Sequence, residues 1–351
     1  MLRFMDRDQS QKNRQAGSAA GLNHMVTGVS GRLGSAVLQA ILEHDLISPL
    51  NLFISTSSDP NDKKWQQVKT RGVVVRHANY DDVPGMIKAF KGIHKLLLIS
   101  SPLLELDIPY KEYGEGRDRQ HINVILACRA AGVRHIYYTS LGLAPINPFG
   151  SIASTMLAHH RTEHTLRLLV DISYTIIREA PYAELWPLYL GFYDGPSDKR
   201  RDLLIAGDGP VSWTSIQDLG LGTALILADM STSWSGVTTT LSSQFAVPLH
   251  HIAEIVTRLC GNETRLSIVS QEQYIQYYTH EQGIDENISR WWVSTYAALT
   301  RHEGWHADAP LLSRLLEKFG RKPKHIDEVV REMLSARKQN EGNGGPLVAE
   351  W

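Results

Sequence analysis

The sequence predicts an α/β protein: a doubly wound Rossmann sheet of parallel strands, followed by a smaller, mostly helical C-terminal lobe. Three observations lead to this prediction. Six short strand patterns alternate with helical patterns, a glycine-rich turn joins the first strand pattern to the first helix, and the alternation loosens after Arg178. Such alternation is typical of βαβ units, and right-handed crossovers make the doubly wound arrangement the expected one.

Each strand pattern is a short run rich in apolar and β-branched residues. In chain order the six runs are HMVTG (24–28), NLFIST (51–56), GVVVRHA (72–78), KLLLIS (95–100), RHIYYTS (134–140) and ISYTIIR (172–178). The helical patterns between them include SGRLGSAVLQAILEH, VPGMIKAF, RDRQHINVILACRAAG and TMLAHHRTEHTLRLL. Because helical segments separate the strands, successive strands are expected to run parallel.

Beyond Arg178 the pattern changes to a mainly helical one. Strand-like pieces GPVSWTS and GVTTTLS are mixed with the helical patterns QDLGLGTALILAD, PLHHIAEIVTRLC, ISRWWVSTYAALT, PLLSRLLEKF and IDEVVREMLSAR. We therefore expect a Rossmann domain over residues 22–180 and a smaller substrate lobe over 181–337. The polar segment 1–21 predicts a disordered leader, and the glycine-rich segment 338–351 predicts a flexible tail.

The composition is that of a globular, nearly neutral protein. Of 351 residues, 36 are Lys or Arg and 37 are Asp or Glu, so the net charge is −1. That balance argues against a nucleic-acid or anionic-membrane surface, and no apolar run approaches the roughly 18 residues of a membrane span. Two cysteines, Cys128 and Cys260, are too few for a disulfide framework, so a reducing, cytoplasmic compartment is expected. A homodimer is left open.

A glycine-rich turn follows the first strand pattern. The run TGVSGRLG spaces Gly28, Gly31 and Gly34 three residues apart. In dinucleotide-binding folds one such glycine permits the tight turn, another lets the backbone approach a diphosphate, and the last allows close packing of helix on strand. The helix start then offers unpaired N–H groups and the positive end of its dipole. A purely structural turn is the alternative, but the position at a strand-to-helix junction favours nucleotide binding.

The end of the second strand pattern indicates which nucleotide is bound. Hydroxyl side chains cluster there: Ser55, Thr56, Ser57 and Ser58. Asp59 follows, Lys63 and Lys64 come a few residues later, and Arg32 lies in the glycine-rich turn. Hydroxyls and cations suit the extra phosphate of NADP, whereas a carboxylate would hold the ribose hydroxyls of NAD. NADP is therefore expected, and Asp59 leaves NAD open.

The helix after the fifth strand lacks the Tyr–Lys pair with which short-chain dehydrogenases reduce carbonyls. Thr155 and His159 stand at that four-residue spacing instead. Ser140, at the end of the fifth strand, keeps a hydroxyl, and His159 has an imidazole of the kind that exchanges protons near neutral pH. The alternatives are a Ser140 that caps a turn and a His159 that is solvated beside His160.

The run HEGWH (302–306) matches the zinc-peptidase pattern H-E-x-x-H. Zinc binding there requires both imidazoles on one uninterrupted helical turn, together with a third ligand. Gly304 lies inside the motif and Pro310 follows it, so a helix is expected to end here. We therefore expect the motif to be structural, and no metal site is predicted.

Aromatic residues are dense in the C-terminal lobe. The cluster comprises Tyr182, Trp186, Tyr189, Phe192 and Tyr193, together with Trp291 and Trp292. These side chains could wall a pocket for a flat substrate, or they could form the core between the two lobes. Both interpretations stay open.

Several segments together resemble one protein family. These are TGVSGRLGSAVLQAILEH, VVVRHANYDDVPGMIKAFKGIHKLLLISSP, QHINVILACRAAGVRHIYYTSL, HRTEHTLR and ISYTIIR, with GDGPVSW and LLEKFGRKP further on. In this order they resemble the NmrA-like branch of the atypical short-chain dehydrogenases/reductases. The resemblance runs closest to bacterial quinone oxidoreductases and to NmrA-like oxidoreductases of fungal biosynthetic clusters, and it covers residues 22–330.

The resemblance implies an NADP-preferring Rossmann domain, a small C-terminal lobe and a cleft between them. By motif match, the diphosphate would be bound by Gly28, Ser30, Gly31, Arg32, Leu33 and Gly34. The ribose would be flanked by Ser100 and Ser101, and the nicotinamide by Thr139, Ser140 and Leu141. His159 would take the place of the usual catalytic lysine, and Tyr182 and Glu184 would line the pocket. Relatives often have an arginine where this sequence has Ser58, which weakens the preference for NADP.

Three functional hypotheses follow. The first is an NADPH-dependent oxidoreductase that reduces a quinone or conjugated carbonyl, for example in secondary metabolism, with His159, Ser140 and Tyr182 holding and protonating the product. A reduced quinone bears a phenolate-like oxygen, with a pKa of about 10 on the tyrosine scale, and so needs less acid catalysis than a ketone. The second is an NmrA-type redox-sensing regulator that binds dinucleotide without turnover and contacts a protein partner. The third is a non-redox biosynthetic enzyme that uses the same cleft.

Overall fold

Seven strands form one parallel sheet in the computed structural model, which describes residues 21–143, 150–193, 198–261, 263–306 and 309–339. In chain order, the strands of this sheet and of a second, two-stranded one are β1 (His24–Val26), β2 (Leu52–Thr56), β3 (Val74–His77), β4 (Lys95–Leu98), β5 (His135–Leu141), β6 (Ser173–Glu179), β7 (Asp202–Ile205), β8 (Val237–Leu241) and β9 (Arg265–Ile268). The order in the main sheet is β3-β2-β1-β4-β5-β6-β8, and β7 pairs with β9 in a separate two-stranded sheet. The predicted doubly wound class is confirmed.

The strand order reverses at β1. From this strand β2 and β3 extend in one direction, while β4, β5, β6 and β8 extend in the other. Val26 lies opposite both Ile54 of β2 and Leu97 of β4, so these three strands end at the same edge. In open α/β sheets, ligands bind outside the carboxyl ends of the strands at such a switch point.

Helices cover both faces of the sheet. In chain order, the helices of the described ranges are α1 (Arg32–Glu43), α2 (Gln66–Thr70), α3 (Val83–Phe90), α4 (Arg117–Ala131), α5 (Leu157–Arg167), α6 (Trp186–Tyr189), α7 (Ile216–Ala228), α8 (Leu249–Cys260), α9 (Gln271–His280), α10 (Glu286–Thr300), α11 (Leu311–Glu317) and α12 (Ile326–Gln339). One core joins the sheet to α1, α2, α7 and α11, and another joins it to α3, α4 and α5. Alternate strand residues supply the two cores: Ile177 faces the first and Ile176 the second.

The first helix is held against the sheet by an apolar stripe. Leu33, Val37 and Ile41 recur at four-residue spacing and are buried, and burial of each such side chain contributes about 1.5–3 kcal/mol. The same helix packs closely against α7, because a Cβ placed on Gly220 would lie 2.6 Å from the Cβ of Ala36. This packing holds the middle of α1 against α7.

The C-terminal region has its own aromatic core. Trp186, Tyr189, Tyr193, Trp291 and Trp292 all belong to one buried cluster. Of the two interpretations of these aromatic residues, the structure therefore supports a packed core for these five. Phe192 is only partly buried and packs against the same cluster.

Two sequence expectations for this region were incomplete. The short strands β7 and β9 were not predicted, and GPVSWTS, expected to be strand-like, makes only isolated bridges from Val211 to Val247 and from Thr214 to Tyr182. Pro210 has no N–H to donate, and these two bridges join different partners, so no continuous ladder forms.

The predicted domain boundary at residue 180 stays a prediction. Strand β8 lies beyond that boundary in the chain but pairs with β6 in the main sheet. The predicted leader and tail fall almost wholly outside the described residues. No helix in the described ranges combines the length and apolar composition that a membrane crossing requires.

Candidate active site

The glycine-rich turn between β1 and α1 adopts a conformation that only glycine accommodates. Gly28 has a φ of +63°, and its carbonyl oxygen accepts a hydrogen bond from the N–H of Gly31 at 3.0 Å. A Cβ on Gly34 would lie 2.2 Å from that carbonyl oxygen, and one on Gly28 would lie 2.9 Å from the Cβ of Ile99. The first and last motif glycines therefore serve the tight turn and the close packing that the sequence predicts.

The N terminus of α1 lies at this turn and presents backbone N–H groups there. Gly31 is the N-cap residue, no side chain caps the helix, and the first turn contains no acidic residue. Ser30, Gly31 and Arg32 are exposed, whereas Leu33 and Gly34 are buried. A diphosphate fits such a terminus, since the N–H groups and the helix dipole favour an anion. Leu33 and Gly34 would contribute through packing and backbone rather than through side chains.

Three hydroxyl groups meet beside the turn at the end of β2. Thr56 Oγ1 lies 2.8 Å from Ser58 Oγ and 3.5 Å from Ser30 Oγ. Ser57 is exposed, and its carbonyl oxygen accepts a hydrogen bond from His77 Nε2 at 3.2 Å. The carboxylate of Asp59 instead accepts the N–H of Asn61 at 2.8 Å within its own loop. The strand end is thus lined by hydroxyls, as the sequence predicts for the position of the ribose.

The two serines after β4 differ in orientation. Ser101 is buried, and its Oγ donates to Gln120 Oε1 at 2.6 Å. Ser100 is half-buried, and its N–H donates to Thr139 Oγ1 at 3.0 Å, which holds the ends of β4 and β5 together. Of the two, Ser100 is therefore better placed to contact a ribose.

Ser140 lies in an ion-paired cluster that the sequence did not reveal. Its Oγ donates to Glu163 Oε1 at 2.8 Å, and Glu163 is paired with Arg178 at 2.7 Å and Arg167 at 2.8 Å. Burial raises the pKa of Glu163, but Arg178, Ser140 and Arg167 outweigh that effect, and the net shift is downward. The carboxylate thus stays ionised and orients the Ser140 hydroxyl.

His159 is buried beneath the same edge rather than solvated. Its Nδ1 lies 2.9 Å from Tyr138 Oη, and the residue is only 5% exposed. Burial, then the positive charge of Arg117, holds the pKa of His159 well below its ordinary value. The imidazole is therefore neutral near pH 7. Thr155, at the position of the missing tyrosine, has a buried Oγ1 without a hydrogen-bond partner among the described residues.

Tyr182 and Glu184 lie between the glycine-rich turn and α7. Tyr182 is half-buried and packs against the core that contains α1. Glu184 accepts the N–H of Ile216 at the start of α7. Burial raises the pKa of both side chains, and the charge of Arg32 acts against that rise at both. Arg32 therefore connects these residues electrostatically to the predicted diphosphate site.

Glu179, at the end of β6, is a further buried acid that sequence reasoning missed. Thr223 Oγ1 donates to its Oε1 at 2.5 Å, whereas its Oε2 has no partner among the described residues. Burial raises the pKa of Glu179 to about 8, against a smaller lowering effect from Thr223. The side chain is thus neutral at pH 7.

The HEGWH run also reaches this edge, in a non-helical conformation. Helix α10 ends at Thr300 and His302 has a φ of +59°, so the motif is not helical. Glu303 accepts a hydrogen bond from Ser151, and His306 Nε2 donates to the carbonyl oxygen of Gly142 just after β5. No group of three or more His, Cys, Asp or Glu is arranged for a metal ion in the part of the chain that the structure describes.

Known proteins resemble this chain in sequence. It is 27% identical over 319 residues to the NmrA-like family domain-containing oxidoreductase flvB of Aspergillus flavus, covering 89% of this chain and 95% of that protein. It is 30% identical over 253 residues to quinone oxidoreductase 2 of Escherichia coli, covering 71% and 78% of the two chains. No family model matches. Both relatives are named oxidoreductases, which confirms the predicted enzyme class.

Solved structures share the fold. An NADPH-dependent quinone oxidoreductase from Escherichia coli, complexed with NADPH, has a TM-score of 0.72 at 24% identity, covering 88% of this chain and 99% of that one. Citrobacter sp. triphenylmethane reductase, complexed with NADP(H), has a TM-score of 0.68 at 25% identity, covering 89% and 99%. NmrA, a negative transcriptional regulator in complex with NADP, has a TM-score of 0.65 at 13% identity, covering 92% and 98%.

The family predicted from the sequence motifs is confirmed by the second curated relative, which is 30% identical and is matched over 78% of its length. The switch-point sheet and the glycine-lined start of α1 agree with it. The chain therefore belongs to the NmrA-like family of atypical short-chain dehydrogenases/reductases.

Proposed function

We propose that this protein is an NADPH-dependent reductase of a quinone or a conjugated carbonyl compound. The observation that carries the proposal is the uncapped, glycine-lined N terminus of α1 at the switch point of the sheet. Such a terminus suits a dinucleotide diphosphate. One of the curated relatives is a quinone oxidoreductase, which supports a flat, aromatic-like substrate.

NADPH is the proposed cofactor because of the hydroxyl groups at the end of β2. Ser30, Thr56 and Ser58 offer donors near the predicted ribose, and Asp59 is engaged with its own loop. Lys63 and Lys64 are exposed nearby in sequence. Two of the structural neighbours were solved with NADPH or NADP(H), which supports the same choice.

Replacing Ser58 with aspartate is expected to weaken NADPH binding by about 10-fold or more, because the new carboxylate would repel the phosphate on the ribose. NADH binding should change by less than about threefold. Fluorescence titration of both cofactors measures this. Ser35→Ala, on the exposed side of α1, is the control. Equal losses for NADPH and NADH would contradict the placement of the phosphate.

The residues at the carboxyl ends of β5 and β6 favour a substrate that needs little acid catalysis. Bound NADPH would supply a hydride. Ser140 Oγ is held by Glu163, and His159 is neutral, so neither is a strong proton donor. Reduction of a quinone leaves a phenolate-like oxygen, whereas reduction of a ketone leaves a far more basic alkoxide. We propose that Tyr182 donates a hydrogen bond to the product oxygen and that Ser140 Oγ, whose single hydrogen goes to Glu163, accepts one once that oxygen is protonated, with the neutral His159 beneath them.

The proposal is tested with purified protein, NADPH and a panel of quinones. The expected result is quinone-dependent loss of the absorbance of reduced nicotinamide, with saturation in both substrates. Simple ketones should give much slower turnover. No turnover with any quinone, under conditions in which NADPH binds, would contradict the reductase proposal.

The cellular setting is also part of the proposal. Because the sequence resembles oxidoreductases of fungal biosynthetic clusters, we propose that the substrate is a secondary metabolite. Cys128 and Cys260 are unpaired, which supports the reducing conditions of the cytoplasm.

A second candidate function is a redox-sensing regulator that binds dinucleotide without turnover. It is favoured by one specific observation, that the Ser140 hydroxyl and His159 Nδ1 both make internal hydrogen bonds. Tight NADPH binding without turnover, together with a stoichiometric complex with one protein partner, would favour this function over the reductase.

A further inference from the structure

We infer that His306 accepts a hydrogen bond from a hydroxyl group of the substrate, so that the enzyme prefers hydroxylated quinones. The inference rests on the proposed reductase function and deepens it by naming a substrate class. It concerns the strap, by which we mean residues 302–306, and the edge of the sheet that the strap crosses.

The strap is fixed to the substrate side of the sheet by several hydrogen bonds. The carbonyl oxygen of Gly304 accepts the N–H of Ser212 at 2.9 Å, and the N–H of His306 donates to Ser212 Oγ at 2.9 Å. Ser242, just after β8, donates to the carbonyl oxygen of His306 at 3.3 Å. The buried carboxylate of Glu303 accepts from Ser151, in the segment before α5. His306 is thus held in place across the ends of β5 and β8.

The contact with Gly142 fixes the proton on the His306 ring. A carbonyl oxygen can only accept, so Nε2 of His306 must carry the hydrogen that it shares with Gly142. Burial, and to a smaller extent Arg178, lowers the pKa of His306 despite the raising effect of the Gly142 carbonyl. The ring is therefore neutral at pH 7, and Nδ1 keeps a lone pair. Nδ1 has no partner among the described residues.

A lone pair at this position binds a ligand group that donates a hydrogen bond. Two sources are chemically equivalent: a phenolic hydroxyl of the substrate and the carboxamide of the cofactor. Gly142 directly follows Leu141, which the resemblance places beside the nicotinamide, whereas His306 itself comes from the region that the sequence predicts to be the substrate lobe. This placement favours the substrate hydroxyl.

The experiment compares unsubstituted naphthoquinone with a naphthoquinone that bears one phenolic hydroxyl away from its carbonyl groups. Wild-type protein is expected to prefer the hydroxylated compound by about 10-fold in kcat/KM, the effect of one well-placed hydrogen bond. His306→Leu should lose that preference, so that its kcat/KM values for the two compounds agree within about threefold. His306→Gln, which keeps a donor and an acceptor, should retain part of it.

His302→Asn is the matched control. His302 is exposed on the same strap, and asparagine tolerates its left-handed backbone. The preference should survive this change. Circular dichroism melts establish that each variant is folded. The comparison of the two quinones with wild-type protein tests the inference without any substitution.

Three results would overturn the inference: no preference in the wild type, the same preference in wild type and His306→Leu, or a loss of NADPH affinity in His306→Leu with the quinone preference unchanged. The last result would assign the contact to the cofactor. Calorimetric binding of both quinones to the protein saturated with NADP⁺ is measured in parallel. If no quinone turns over, the reductase proposal fails, but a hydroxyl preference in binding would still support the contact and its absence would refute it.

Discussion

Replacing Gly34 with alanine is expected to reduce NADPH affinity by about 100-fold. The new Cβ would lie 2.2 Å from the carbonyl oxygen of Gly28, so the backbone of the turn would have to move. A displaced turn would no longer present its backbone N–H groups to the diphosphate, and a 100-fold loss of affinity corresponds to about 2.8 kcal/mol of binding free energy. Isothermal titration with NADPH measures the loss.

Two other glycines serve as controls for this prediction. Gly220→Ala would press on Ala36 in the middle of α1 and should lower the melting temperature without affecting the turn. A Cβ on Gly31 would meet the Gly28 carbonyl oxygen at an ordinary 3.4 Å, so any loss of affinity in Gly31→Ala would report on the approach of the ligand itself. Full NADPH affinity in a folded Gly34→Ala protein would contradict the role of the turn.

The free energy of unfolding is expected to fall between pH 5 and pH 8, and replacing Glu179 with glutamine should remove much of that fall. The pKa of Glu179 is raised from 4.5 to about 8. Between these values the folded protein keeps the proton that the unfolded chain has released, so stability falls as pH rises through this window. At 1.36 kcal/mol for each pKa unit, the resulting fall in the free energy of unfolding amounts to about 5 kcal/mol at most. Glutamine carries no proton to lose, and its stability should therefore depend less on pH.

Urea denaturation of wild type and Glu179→Gln at several pH values measures this effect. Glu317→Gln, an exposed position on α11, is the control and should follow the wild-type curve. The other ionisable groups cancel when the two curves are subtracted. Parallel curves for wild type and Glu179→Gln would contradict a neutral, buried carboxyl at this position.

Local patterns in the sequence sufficed to predict much of the fold. The six strand patterns correspond to β1–β6, because their apolar runs and intervening helices are set by neighbours in the chain. Gly28 and Gly34 were recognisable because a tight turn and a close approach restrict both positions to glycine. By contrast, β7 and β9 have only four residues each, and they pair across 63 positions of the chain. Such short, distant partners leave no periodic signal.

The interior of the site depends on contacts that the sequence does not encode locally. Ser140 was identified, but its partner Glu163 lies on a helix, and Arg178 comes from another strand. The irregular backbone of HEGWH was expected from Gly304 and Pro310. Its position over Gly142 was not, since the two contacting residues are 164 positions apart. The solvated alternative for His159 is not what the structure shows, because this face of α5 packs against Tyr138.

The most direct test of the account is a crystal structure of the protein soaked with NADPH. We expect the diphosphate to accept hydrogen bonds from the backbone N–H groups at the start of α1, between Ser30 and Gly34. The phosphate on the ribose should lie beside Thr56 and Ser58. A dinucleotide bound elsewhere, or no binding at saturating concentration, would contradict the claim on which the proposed reductase and the regulator alternative both rest.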